Sequence, residues 1–298
     1  RRLGDLLRVW LSEERAVPVQ PGDMLWNALV EYHGVSRNDL KQLLARYFAV
    51  VHRGGTAADA AAVAWGWWHD VLAARLGGVR PWVAREHAPP ALHRTIDGRR
   101  VLVEVSTDPV EVLHLGCGFG NACQHLLSGV EREFAQENVL HPRIAVIYAR
   151  EVDAHGAVGD RIGRLAVFVT DNEILALSHV MTESGEVDLA PAFTEFLTGW
   201  ATELGVELLL QMRRTTWYDP DRLAAPEGTV TRRRTVQLFP YGKWSGAAAE
   251  LDEKQTARGI SADVFAASPG SGVAIPGHRA LPSEFTEPFE VWSPATTP

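Results

Sequence analysis

Apolar residues recur at three- and four-residue spacing in three stretches near the start of the chain, 23–33 (DMLWNALVEYH), 36–52 (SRNDLKQLLARYFAVVH) and 56–76. That spacing predicts amphipathic helices. Ser36 with Asp39 offers a start for the second, and Gly54-Gly55 and Gly77-Gly78 punctuate the series. From Arg99 the pattern becomes that of strands. The run 101–105 (VLVEV) is short and β-branched. Ser106-Thr107-Asp108-Pro109 then supplies a cap and a proline at the first helical position, with Glu111 in the first turn, so a helix is expected to start at about Pro109. After a glycine-bearing loop, Asn121 can cap a helix over 122–136. Three apolar runs follow, 143–150 (RIAVIYAR), 164–170 (RLAVFVT) and 173–181 (EILALSHVM), separated by polar turns, and an antiparallel meander is the economical assignment. An amphipathic helix is expected over 191–204, ended by Gly205. Strands are expected over 206–212 and 229–239.

These elements predict an α+β protein in which a helical region, 1–98, precedes an α+β core, 99–257, whose antiparallel sheet is packed by two helices. The remainder, 258–298, is rich in Pro, Gly, Ser and Ala with little periodicity and is expected to be irregular. At 298 residues the chain is long enough to bury a sizeable core. It begins at Arg1 without a methionine, as expected for a piece of a longer protein.

Charge narrows the partners. A formal net charge of -8 argues against general nucleic-acid binding, which needs a basic face to neutralise phosphates. No apolar run reaches the length of a membrane span, so no membrane association is expected. The two cysteines, Cys117 and Cys123, are too few for a disulfide framework and lack the companions of a structural zinc site, so a reducing, cytoplasmic setting is expected and no metal. Trp65, Trp67 and Trp68 share one helix; packing in the core or against a protein partner is the expected use, ahead of a ligand cage.

The chemistry centres on 112–127 (VLHLGCGFGNACQHLL). As a helix start after a glycine loop, it places Cys123 where unpaired backbone N–H groups stabilise a thiolate. The expected function is then a cysteine-dependent acyl-transfer enzyme, hydrolase or amide-forming transferase, acting on a small-molecule or peptide substrate without a cofactor. Cys123 is the nucleophile, and His179 the base ahead of His155 and His141. Asp171, or Asn172, orients the base, and Gly120 and Asn121 form the oxyanion loop. Tyr148, Arg150 and Arg164 are the candidate substrate-binding side chains. A nucleophile-bearing helix followed by an antiparallel sheet resembles the element order of papain-like and transglutaminase-like folds.

A second reading starts from Gly116, Gly118 and Gly120. LGCGFG resembles the glycine turn of Rossmann-like methyltransferases, which implies S-adenosylmethionine held at that turn; the likeness spans about nine residues and puts His114 where that family carries an acidic residue. It requires 112–115 to be a strand. A non-catalytic interaction module built on the tryptophan-rich helices is a third reading. His69-Asp70, with His52 and His33, could serve a divalent ion but is better read as a helix-surface pair, and Arg232-Arg233-Arg234 with Arg213-Arg214 as a solvated charge run. Finally, Ser106, Asp108, Pro109, Gly120, Cys123, Tyr148, Arg150 and the Gly163-Arg164 pair form a pattern over about a quarter of the chain. It resembles uncharacterised bacterial proteins, among them PcfJ-like ones, and implies a shared α+β core without an established activity.

Overall fold

A computed structural model of the chain describes residues 37–71, 89–117, 135, 138–140, 144–169, 172–176, 180–182, 187–211, 223–238 and 283–294. Two helices come first, α1 (Arg37–His52) and α2 (Ala57–Val71). Leu40, Leu43, Leu44 and Tyr47 are the buried stripe of α1, the i, i+3, i+4, i+7 spacing of a helix that packs on one side. Ala60, Ala61, Ala64, Trp65 and Trp68 are the buried stripe of α2. Thr56 and Asp59 start α2 by capping each other: the Asp59 amide donates to the Thr56 hydroxyl at 3.1 Å and the Thr56 amide to the Asp59 carboxylate at 3.1 Å. The expected helix over 23–33 lies outside the described residues.

The rest of the described chain forms one nine-stranded sheet: β1 (Leu92–Ile96), β2 (Arg99–Val105), β3 (Ile144–Val152), β4 (Val158–Val169), β5 (Glu173–Ala176), β6 (Met181–Thr182), β7 (Glu207–Gln211), β8 (Val230–Leu238) and β9 (Ser283–Trp292). Their spatial order is β1-β2-β3-β4-β5-β7-β9-β8, with β6 also pairing β4. The short α3 (Pro109–Leu113) follows β2, and α4 (Ala190–Leu204) links β6 to β7. Asp108 caps α3 as expected, accepting from the amides of Val110 and Glu111, with proline in the first turn. Gly205 ends α4 in the left-handed conformation, φ 67°, its amide bonding back to Ala201 and Thr202. Ala135 and residues 138–140 are helical, so helical structure reaches past the expected end at Gln136.

The expected α+β class holds, and three of its details change. First, β1 lies inside the stretch read as helical. It is a half-exposed edge strand joined to β2 by Asp97-Gly98, both at positive φ, the two-residue turn whose twist matches a hairpin. Second, the sheet is not wholly antiparallel: β5 and β7 run parallel, Ile174 opposite Leu208, because α4 carries the chain across between them. The run over 173–181 is correspondingly split into β5 and β6. Third, the stretch expected to be irregular supplies β9, which enters between β7 and β8 and pairs with both. Among the described residues no helix is long and apolar enough to cross a membrane.

Helices and sheet share one hydrophobic cluster running from Leu40 and Trp68 through Val103, Ile147 and Val167 to Phe193 and Leu210. Two hydrogen bonds fasten α1 and α2 to the loop after β2: the Trp65 indole donates to the Thr107 carbonyl at 2.7 Å, and the Tyr47 hydroxyl to the Asp108 carboxylate at 2.8 Å. Trp68, 1% exposed, packs edge-on against Trp65 and its indole N–H has no partner. Trp65→Phe keeps the ring contact and loses only the bond to Thr107, so it should cost about 1–2 kcal/mol, whereas Trp68→Ala opens a cavity worth about 3–5 kcal/mol. Urea unfolding followed by tryptophan fluorescence and circular dichroism checks both. A negligible cost for Trp68→Ala would show that the helical pair contributes nothing to the cooperative core.

Candidate functional site

Strand register decides which side chains meet. Residues directly opposite each other share a face, so the pairs Glu104–Tyr148 and Tyr148–Arg164 put those three side chains on one side of β2, β3 and β4. Arg150 shares the face two residues along. Arg161 belongs there only because β4 is irregular: Ala149 pairs Gly163 while Arg150 pairs Arg161, which leaves Ile162 as an extra residue. In a regular strand residues 161 and 164 would point to opposite faces. The bulge turns Arg161 onto the side occupied by Arg164, the re-aiming that an inserted residue produces.

Helix α3 covers this face and brings Glu111. One terminal nitrogen of Arg150 lies 2.6 Å from both Glu111 carboxylate oxygens, its Nε 3.1 Å from Glu104, and the Ser106 hydroxyl donates to Glu111 at 3.0 Å. The Tyr148 hydroxyl donates to the Glu111 carbonyl at 2.8 Å and accepts from Arg161 at 3.3 Å. Arg161 also donates to the carbonyls of His114 and Cys117, at 3.4 Å and 3.3 Å, its guanidinium 5.0 Å from the centre of the Tyr148 ring. Arg164 is buried.

Burial dominates the electrostatics. It pushes the Tyr148 phenol up to about 12, against the pull of the Arg161 and Arg164 cations, so Tyr148 acts at neutral pH as a hydroxyl and not as a base. The Tyr47 phenol is likewise raised, by burial and then by the Asp108 charge. The Asp108 carboxyl is held above its ordinary range, first by burial and also by the neighbouring Glu111 charge. The bonds it accepts from Tyr47 and from two backbone amides pull the other way.

Of the side chains singled out from the sequence, Tyr148, Arg150 and Arg164 are brought together. Cys123, His179, Asp171, Gly120, Asn121 and His141 lie outside the described residues. His155 is at the exposed tip of the β3–β4 hairpin, in the turn beyond the end of β3 at Val152. The 112–115 stretch is not the strand that a methyltransferase turn requires: residues 109–113 are helical and 114–117 form a turn. Trp65 and Trp68 are consumed by the core, while Trp67 is half-buried beneath the Arg46 guanidinium, 4.3 Å from its ring centre. His69 stacks edge-on against Trp68, and among the described residues no three His, Cys, Asp or Glu side chains converge to hold a metal ion. Arg232 is exposed, 3.8 Å from Glu207. A separate groove of about 670 Å³ beside α4, lined by Leu92, Pro191, Phe196, Trp200 and Pro226, is mainly apolar.

Sequence reasoning did not single out Arg161, Glu104 or Tyr47 as site residues. Glu104 alternates correctly with Tyr148 once the β2–β3 pairing is known, whereas Arg161 is visible only through the bulge. Comparison of the sequence with models of known protein families and with curated proteins gives no match to either.

Because the raised Asp108 carboxyl favours its protonated form in the folded state, its contribution to stability is fully present below the ordinary carboxylate pKa and is lost as pH rises through the raised value. Asp108→Asn keeps an acceptor for Tyr47 and for the helix amides but removes the charge. Relative to the parent it should therefore gain stability as pH goes from about 3 to about 7. Asp108→Ala, which loses cap and acceptor together, should cost about 1–3 kcal/mol across the range. Urea midpoints measured along that pH series decide it; a parent that gains on Asp108→Asn as pH rises has the opposite linkage.

Proposed function

We propose that the chain is a cysteine-dependent acyl-transfer enzyme, hydrolase or amide-forming transferase, with Cys123 as nucleophile, His179 as base and Asp171 as the group orienting it. In this reading the Cys123 sulfur attacks the substrate carbonyl carbon. His179 takes the thiol proton and returns it to the leaving amine or alcohol, and water or an acceptor amine then cleaves the thioester. Gly120 and Asn121 present backbone N–H groups to the oxyanion. The substrate is a small molecule or peptide, and the setting is reducing and cytoplasmic, which keeps the thiol available.

One observation carries the reading. The chain leading to Cys123 and the chain leaving His179 are both fastened to the same four residues of β4: Arg161 holds the Cys117 carbonyl, and Arg164 pairs with Met181. Six residues separate Cys117 from Cys123 and two separate His179 from Met181, spans of at most about 21 Å and 7 Å. Those spans leave both side chains within reach of β4. The likeness to PcfJ-like proteins adds a shared core and no chemistry. Burial of Trp65 and Trp68 removes two of the three rings on which an interaction module would draw.

Iodoacetamide labelling across pH tests the nucleophile. An activated Cys123 should alkylate well below the ordinary thiol pKa of about 8.5. Cys117→Ala should keep that fast phase and Cys123→Ala should lose it. Slow labelling of the native protein at every pH removes the acyl-transfer reading.

A further inference from the structure

We propose that Arg161, turned inward by the bulge in β4 and seated over Tyr148, is a recognition site for a single carboxylate group. On the acyl-transfer reading, that group belongs to the substrate. The inference rests on that reading only for calling the ligand a substrate; the site itself stands on geometry.

Of the other arginines beside Tyr148, Arg150 is neutralised by Glu104 and Glu111, and Arg164 is buried against the sheet. Arg161 is different. Among the described residues its hydrogen bonds are all to neutral oxygens, the carbonyls of His114 and Cys117 and the Tyr148 hydroxyl, and all are 3.3 Å or longer. Charge-assisted bonds to a carboxylate close to about 2.7–2.9 Å, and a planar guanidinium fork offers two parallel ones. The Nε of Arg161 makes no hydrogen bond among the described residues, so donors remain for such a ligand. The side chain is half-buried, which leaves it reachable while weakening the screening of its charge.

Neighbouring groups pre-set the fork. The Tyr148 hydroxyl is locked by its bond to the Glu111 carbonyl and presents its lone pair to Arg161, and the ring lies beneath the guanidinium. Glu111 lies on the same side of the sheet, with its charge felt at Tyr148, so it repels a doubly charged phosphate more than a singly charged, planar carboxylate. The Cys117 carbonyl held by Arg161 is six positions before Cys123 in the chain. On the acyl-transfer reading, a carboxylate seated here belongs to one end of an acyl compound, such as a peptide C terminus.

The test is side-chain guanidinium nitrogen–proton NMR on the full-length protein, titrated at constant ionic strength with N-acetylglycine, its neutral analogue N-acetylglycinamide, and inorganic phosphate. The Arg161 resonance is assigned through Arg161→Lys. The expected result is a saturable shift of the Arg161 Nε–H with N-acetylglycine and none with the amide. Phosphate should bind less tightly, and N-acetylglycine should bind with equal affinity in the parent and in Cys123→Ser. In Arg161→Lys, the affinity read from backbone amide shifts of 114–117 should fall about tenfold. No saturable shift, or equal shifts with the acid and the amide, would show that Arg161 only clamps the 114–117 turn. Tighter binding of phosphate would overturn the assignment to a carboxylate. Should Arg161→Lys fail to fold, Arg161→Gln supplies both the assignment and the affinity comparison. Carboxylate binding combined with slow Cys123 alkylation sinks the acyl-transfer reading and leaves this site; fast alkylation without carboxylate binding does the reverse.

Discussion

The ion pair between Glu111 and Arg150 is the constraint on which the rest of the Tyr148 face depends. A helix of five residues cannot hold itself together in water, because nucleating the first turn costs more than so few hydrogen bonds return. Helix α3 exists because its ends and its two faces are each tied down. Asp108 caps its amides, Val110, Val112 and Leu113 are buried beneath it, and Glu111 is pinned by Arg150 from the sheet. Arg150 is in turn mostly buried, with Glu104 as its second carboxylate partner. Removing Glu111 leaves the mostly buried Arg150 with Glu104 alone and frees the helix from the sheet, whereas Glu104 and Glu111 themselves keep contact with water. The arrangement is therefore interdependent, and its product is the placement of the 114–117 turn against Arg161.

The same economy explains why the helical pair is joined to the sheet at the loop between β2 and α3. Residues 106–108 must supply partners for a strand end, a helix start and two incoming aromatic side chains. Several polar groups there are used: the Ser106 amide closes on the Val146 carbonyl, the Thr107 carbonyl takes the Trp65 indole, and the Asp108 carboxylate takes both the helix amides and Tyr47. Buried polar groups that are fully paired fix a geometry, since any other arrangement strands one of them. In this way α1 and α2 set the position of the α3 cap without touching the Tyr148 face directly.

How much of this was legible in the sequence follows from how local each cause is. The α3 start was readable because capping is written in consecutive residues, Asp108-Pro109 with Glu111. The α4 stop was readable because Gly205 stands alone at the end of an amphipathic run. The apolar runs 143–150 and 164–170, separated by a polar turn, predicted paired strands for the same reason. What escaped is non-local. Leu-His-Arg-Thr-Ile carries too few apolar residues for periodicity to mark β1, although Asp97-Gly98 beside it is a strong hairpin turn. Strand β9 contains Pro288 and lies far along the chain from its partners, so neither composition nor spacing marks it. The parallel pairing of β5 with β7 depends on where α4 packs, which no short window records.

Arg161 is the sharpest case. Counting by twos along 158–169 sends it to the face opposite Arg164, and on that count the arginines beside Tyr148 are Arg150, paired with Glu104 and Glu111, and the buried Arg164. A single extra residue, Ile162, reverses the count and places a third guanidinium over the phenol, held by neutral oxygens alone. A bulge weakens the local ladder, and strands keep such defects where a side chain must be aimed differently from the pleat. Here the redirected side chain reaches the turn that leads toward Cys123. The irregularity in β4 is therefore the feature that adds, to the polar patch around Tyr148, a guanidinium with donors to spare among the described residues.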